Sequence, residues 1–297
     1  MYKILITFLI LISTQASGSL YVLEGMSGAG KSTTLIHLAP ELQNEYFILS
    51  ELNPEPDSEW ARGSIEQQST AFYQEWHQRM TILKNFYPRD VNFLLDRSYI
   101  GCMAFTYAMD KLQKTDNYEK FKDKIKKDFD INQDFTKIIV LDVDPTVSIK
   151  RRQIAGDGNP WPWLERTPWP WDNVQFLGFF REFYIKELPE LTKAELIYIN
   201  TTNLSKKELN KKLLRVLNSF TPKSKKIINK NISQEQENIL MKYAIEKKLG
   251  YYQSKPILIG GFPSIILERH IIQLDNNNKP VFLNNKRLLE LSLFYNK

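Results

Sequence analysis

Short apolar runs recur along the first two thirds of the chain: Leu20–Leu23, Tyr46–Ser50, Val91–Leu95, Lys137–Leu141 and Ile197–Ile199. They are rich in strand-forming residues, and the polar stretches between them are long enough for helices. The alternation of strand and helix predicts an α/β fold with a mostly parallel five-stranded sheet between two helical layers. In such sheets ligands bind beyond the carboxyl ends of the strands. The runs lead there into a Gly-rich turn after Glu24, a loop holding Glu55, the pair Asp96-Arg97, and Asp142 with Asp144. Two helical periodicities are clear. Ser205–Phe220 puts Leu209, Leu213, Leu214, Leu217 and Phe220 on one face, and TAFYQEWHQRMTIL gives Phe72, Trp76, Met80 and Leu83 core spacing. Beyond Phe220 the pattern changes. A basic linker precedes a helix capped by Ser233-Gln234-Glu235-Gln236 and running to about Leu249, then short strands around Gly260-Gly261.

The 297 residues carry 42% hydrophobic and 25% charged positions, the mixture of a chain that buries a core. Cys102 is the single cysteine, which excludes an intramolecular disulfide and a cysteine-built zinc site. The net charge of +6 is concentrated. Ser205–Lys248 holds twelve Lys/Arg against four Glu, a local +8, and the remainder of the chain sums to −2. These lysines lack interleaved aromatic residues and sit at exposed helical spacing, so a solvated face is favoured over a nucleic-acid surface. Residues 1–18 (MYKILITFLILISTQASG) have the build of a secretory signal peptide, with an apolar run too short for an ordinary membrane span. That build implies export; a retained hydrophobic helix, or a start assigned too far upstream, implies a cytoplasmic protein. The division expected is therefore 1–18, a main domain over 19–220, a linker over 221–232 and a small extension over 233–297.

Gly25-Met26-Ser27-Gly28-Ala29-Gly30-Lys31-Ser32-Thr33 fits G-x-x-x-x-G-K-[ST], with a strand before it and a helix after it. Backbone N–H groups of such a loop wrap a phosphate, and glycines supply the dihedrals this needs. Lys31 is placed to reach the β- and γ-phosphates of ATP, Ser32 to ligate Mg²⁺, and the helix dipole adds to the site. Transfer of a γ-phosphoryl group also needs an anion to orient or deprotonate the acceptor and cations around the migrating group. Asp96 can hold the Mg²⁺ water shell or take the acceptor's proton. Arg97 can grip an acceptor phosphate in two places. Glu55 is the second candidate base, favoured if the acceptor is a nucleoside; Arg62 or Arg79 gains weight beside Arg97 if it is a monophosphate. Phe72, Trp76 and Phe105 are candidates for stacking on a base, against a plainer role as packing. Asp142 and Asp144 can equally serve strand-end turns.

DRSYIGCMAFTYA and LDVDPTVSIKRR resemble the thymidylate kinase and deoxynucleoside kinase group of P-loop kinases, and WDNVQFLGFFREFYIKEL resembles that group's helix after its lid. The resemblance spans about Leu20–Phe220. Glu55-Pro56 with Trp60 is similar to the deoxynucleoside kinase form of the loop after strand two. In the Asp-Arg block, Gly101 stands at a Ser position and Ala104-Phe105 at an Ala-Tyr pair; Thr106 stands where thymidylate kinases have a Gln near the base. The resemblance implies a P-loop three-layer sandwich that uses ATP and Mg²⁺ on a small nucleoside or nucleotide acceptor, thymidylate first, and it admits a homodimer. Its lid would follow Lys150, with Arg151, Arg152 or Arg166 as the cation that closes on the phosphates. Within that lid Pro160-Trp161-Pro162-Trp163 recurs as Pro168-Trp169-Pro170-Trp171. Alternating prolines forbid a regular helix. The repeat is expected to be a hydrophobic clasp more than an aromatic platform.

Overall fold

The computed structural model describes residues 19–42, 46–49, 92–128, 130–131, 135–155, 170–220, 232–246, 257–259, 262–266 and 271–283, with Thr70, Phe72–Gln74, Trp76 and His77. Five strands form the main sheet: β1 (Leu20–Glu24), β2 (Tyr46–Leu49), β3 (Asn92–Asp96), β4 (Lys137–Asp142) and β5 (Glu195–Asn200). Their order is β2-β3-β1-β4-β5 and every pairing is parallel. All five residues of β3 are buried, as are four of five in β1, which requires cover on both faces of the sheet. That is why these runs are continuously apolar rather than alternating.

The cover comes from α1 (Lys31–Leu42), α2 (Tyr99–Gln113), α3 (Asn117–Asp128), α4 (Pro145–Ala155), α5 (Val174–Glu182), a π-helical turn (Phe183–Glu187) that leads into the short α6 (Leu188–Leu191), and α7 (Lys206–Phe220). Helices α1 and α7 pack on each other, and α2 packs on α3 and α5. On α7, Leu209, Leu213 and Leu217 are buried and Leu214 half-buried, the face set by the 3.6-residue period. Ser205 and Glu208 cap its start reciprocally: the Ser205 amide and hydroxyl donate to the carboxylate at 2.8 and 2.6 Å, and the Glu208 amide donates to Ser205 Oγ at 3.3 Å. In the helical residues around Tyr73 the expected Trp76 is buried and Tyr73 joins it from outside the expected stripe. Tyr73 and Trp76 are buried while Phe72 is half-buried, so the core side is set by the pair three apart; Met80 and Leu83 lie outside the described residues.

A second core lies in the C-terminal region. Helix α8 (Gln234–Glu246) packs on an antiparallel meander of β6 (Ile257–Ile259), β7 (Phe262–Ile266), β8 (Ile271–Leu274) and β9 (Pro280–Leu283). Leu240, Ala244, Ile272 and Leu274 form its centre. The expected cap is present, with the Gln236 amide donating to Ser233 Oγ and the Ser233 amide to Gln236 Oε1, each at 3.1 Å. Among the described residues no helix is long and apolar enough to cross a membrane. The leader-like residues 1–18, and positions 221–231 of the basic linker, lie outside the described residues.

Candidate active site

Strand β1 is central. From it the chain turns to β2 and β3 on one side and later to β4 on the other, so the loop after β1 sits at the switch point of the sheet. The loop is built around backbone contacts that exclude side chains. Gly25 has φ +128°, and a Cβ there would lie 2.3 Å from the Leu141 carbonyl oxygen. Gly28 has φ +72°, and its Cβ would lie 2.8 Å from Ser148 O and 3.3 Å from Arg152 Cγ. Ser148, fully buried on α4, donates its hydroxyl to Ser27 O at 2.6 Å and so ties the loop to that helix. Lys31, at the first turn of α1, is buried; its ammonium donates to Gly25 O at 2.9 Å and Met26 O at 3.0 Å, lying along the loop that the phosphates would occupy. Ser32 is exposed at the same helix start, with Thr33 half-buried beside it.

Asp96 ends β3 opposite Leu23 and is 2% exposed. Arg97 follows in the left-handed region with φ +65°, and its amide donates to Leu23 O at 2.9 Å, which fixes it against β1. Such a dihedral costs a non-glycine residue on the order of 1 kcal/mol and turns the side chain away from the strand direction. The guanidinium lies 5.9 Å from the Trp171 ring centroid. Ser98 then caps α2 by accepting from the Ile100 amide at 3.1 Å, and its hydroxyl proton goes to Glu24 Oε1 at 2.6 Å. The other carboxylate oxygen of Glu24 accepts from Tyr184 Oη at 2.8 Å. Burial pushes the fully enclosed Glu24 carboxyl up to about 7, against the pull of both hydroxyls and of Arg97 and Lys31. Glu24 was not a site residue on sequence grounds. Its only sequence signal was a charge at the end of an otherwise apolar strand.

The two arginines of α4 are anchored differently. Arg151 donates to Thr201 O at 2.6 Å and lies within 3.4 Å of the carbonyls of Gly28, Thr202 and Leu204, bridging the loop after β1 to the β5–α7 connection. Arg152 is 4% exposed and bonds Asp172 Oδ1 at 3.2 Å, with its stem against Gly28. Asp144 caps α4 through the Thr146 amide at 2.8 Å, and Asp142 takes a two-point contact from Arg181 at 2.6 and 2.8 Å, so both aspartates have structural work at the strand end. Phe105 packs on Trp171 at 5.8 Å and Phe176 at 5.6 Å, and Trp171 also meets Phe180 at 5.2 Å. This last tryptophan of the repeat is therefore a clasp on the body; Trp161, Trp163 and Trp169 lie outside the described residues. Thr106 is buried and returns its hydroxyl to Cys102 O at 3.0 Å within its own helix. Glu55, Arg62, Arg79 and Arg166 also lie outside the described residues. Among the described residues no group of three or more His, Cys, Asp or Glu could hold a metal by itself. Ser32 and Asp96 offer hard oxygen donors of the kind that bind Mg²⁺ together with water and substrate phosphates.

No protein-family model matches this chain, and no curated protein matches it in sequence. Solved structures do match in fold. A deoxyadenosine kinase from M. mycoides with products dCMP and a flexible dCDP bound is similar at a TM-score of 0.52 and 17% identity, covering 68% of this chain and 100% of that one. The same enzyme with bound dATP is similar at a TM-score of 0.51 and 18% identity, covering 67% and 99%. The chain thus shares the α/β fold of these deoxyadenosine kinase structures. The shared coverage is close to the length of the parallel-sheet body.

Proposed function

We propose that this protein is a P-loop phosphotransferase that moves the γ-phosphoryl group of ATP, with Mg²⁺, to a nucleoside or nucleoside monophosphate. The observation that carries the reading is the junction of β1 and β3. There the Gly25–Thr33 loop with its buried Lys31 stands beside the buried Asp96 and the conformationally strained Arg97, at the switch point of a parallel sheet. Lys31 and the loop amides would hold the donor phosphates; Ser32 and Asp96 would hold Mg²⁺, which supplies charge neutralisation when bound. Arg97 would meet an acceptor phosphate or the migrating group. Arg151 and Arg152 on α4 and Arg166 are the candidates for a further cation on the phosphates, and Phe72 and Phe105 are candidates to face the acceptor's base.

The fold likeness to a deoxyadenosine kinase favours a deoxynucleoside acceptor, with Glu55 as its general base; Arg62 and Arg79 belong to the monophosphate reading. Thymidylate stays in the same panel because of the Asp-Arg block. ATP consumption is measured with deoxyadenosine, deoxycytidine, thymidine and thymidine monophosphate added singly. The expected result is turnover that depends on one acceptor and is abolished in Lys31→Ala. ATP binding without acceptor-dependent turnover would instead favour a secreted nucleotide-binding effector or a kinase acting on another acceptor, and unchanged turnover in Lys31→Ala would refute the site.

A further inference from the structure

Glu24 is a carboxyl with no exposed surface that the reading above leaves without a task. Its two oxygens are each met by one hydroxyl, Ser98 from the start of α2 and Tyr184 from the segment after α5. Tyr184 comes from the π-helical turn Phe183–Glu187, closed by the Leu188 amide donating to Phe183 O. One inserted residue rotates the phase of a helix by about 100°, and such turns are frequent at functional sites. The turn is held from outside as well, since Tyr198 on β5 donates its hydroxyl to the Tyr184 carbonyl at 2.8 Å. The Tyr184 ring packs on Phe180 at 5.6 Å and Phe183 at 5.5 Å, so both ends of the residue are fixed.

These groups converge with Arg97 on a single point. A Cβ built on Gly101 would lie 3.6 Å from Glu24 Oε2, 3.8 Å from Arg97 Nη1 and 3.9 Å from Tyr184 Oη. The space where a side chain at position 101 would stand is thus bordered by the carboxylate, the guanidinium and the phenol. The charge of Arg97 acts on both Glu24 and Tyr184, in keeping with this proximity. We propose that Tyr184 and Glu24 are positioning residues: the phenol orients the carboxylate, and the carboxylate seats the Arg97 guanidinium for a phosphate oxygen. The inference rests on the phosphotransferase reading and assigns how one of its cations is held.

The test compares full-length Tyr184→Phe, Glu24→Gln, Arg97→Ala and the Tyr184→Phe/Arg97→Ala double variant. Two quantities are read: acceptor-dependent turnover with deoxyadenosine and with thymidine monophosphate, and the affinity of the Mg-ADP-loaded protein for inorganic phosphate by calorimetry. Tyr184→Phe and Glu24→Gln are each expected to lower kcat and phosphate affinity about tenfold, with the KM for ATP changed less than about twofold, and Tyr184→Phe is expected to cost nothing further once Arg97 is Ala. A tenfold cost that persists in the Arg97→Ala background overturns the proposal, as does a phosphate affinity that ignores all three residues. Wild-type protein that turns over no acceptor defeats the phosphotransferase reading instead, and the phosphate cycle then decides the network by itself. Melting temperature identifies any variant whose losses come from unfolding, and Glu24→Gln, which keeps the side-chain shape, then stands in for Tyr184→Phe.

Discussion

Glu24 and Gly25 are neighbours fixed by opposite constraints. At Gly25 the constraint is space: a methyl group would lie 2.3 Å from a backbone oxygen of β4, and φ is +128°. Gly25→Ala must therefore move backbone and is expected to lower stability by roughly 2–4 kcal/mol and to abolish ATP binding, both measurable by thermal melting with and without Mg-ATP. At Glu24 the constraint is charge. Its carboxyl is raised from 4.5 in the unfolded chain to about 7 in the fold. The folded state thus binds the proton more tightly. The stability this group contributes is complete below pH 4.5 and is lost as pH rises through 7, by up to about 3 kcal/mol. Glu24→Gln carries no such term. Across pH 4.5 to 8 the melting temperature of the variant should climb relative to wild type; a constant difference would show that Glu24 does not titrate in this window. The site glycines and Lys31 were legible in the sequence because their spacing encodes a local loop. Glu24 was not, because its partners lie 74 and 160 residues away.

Elements carry a second kind of information. Helix α2 begins at Ser98, whose one hydroxyl both accepts from the Ile100 amide and donates to Glu24. Ser98→Ala removes a cap and a buried donor together. The expected loss is roughly 1–3 kcal/mol, more than at Ser233, whose cap is exposed; parallel melts of Ser98→Ala and Ser233→Ala check the ordering. The five strands of the main sheet were readable from their apolar runs, and the start of α8 from its reciprocal cap at Ser233. The π turn was not. Its residues continue a helical pattern, and the extra residue is selected by what Tyr184 and Tyr198 reach across the fold. The burial of Tyr73 beside the expected Trp76 has a related reason: apolar residues lie on more than one face of that helix, and tertiary packing covers Tyr73 more fully than Phe72.

At the scale of the molecule the described residues form two hydrophobic clusters, one around the parallel sheet and one joining α8 to the meander. The basic excess that begins at Ser205 spans the helix closing the first and the stretch leading to the second. A chain ending after Phe220 keeps every described residue of the first core. It is expected to melt cooperatively and to bind Mg-ATP within about threefold of the full chain. A truncated chain that fails to fold would show that the C-terminal region completes the body.

The sequence by itself determined the parallel sheet, the glycine-rich loop from Gly25 to Thr33 between β1 and α1, and the change of pattern beyond Phe220, because each is written in residues close together along the chain. Only the tertiary structure decided how the charges are partnered. It tied Arg151 to the carbonyls of Thr201, Thr202 and Leu204, gave Arg152 to Asp172 and Arg181 to Asp142, and set Trp171 against Phe105. It also gathered Glu24, Ser98, Tyr184 and Arg97 around the space left by Gly101. A buried charge takes whatever partner the fold brings within hydrogen-bond reach, and that distance is set by the packing of strands and helices, not by the separation of residues in the chain.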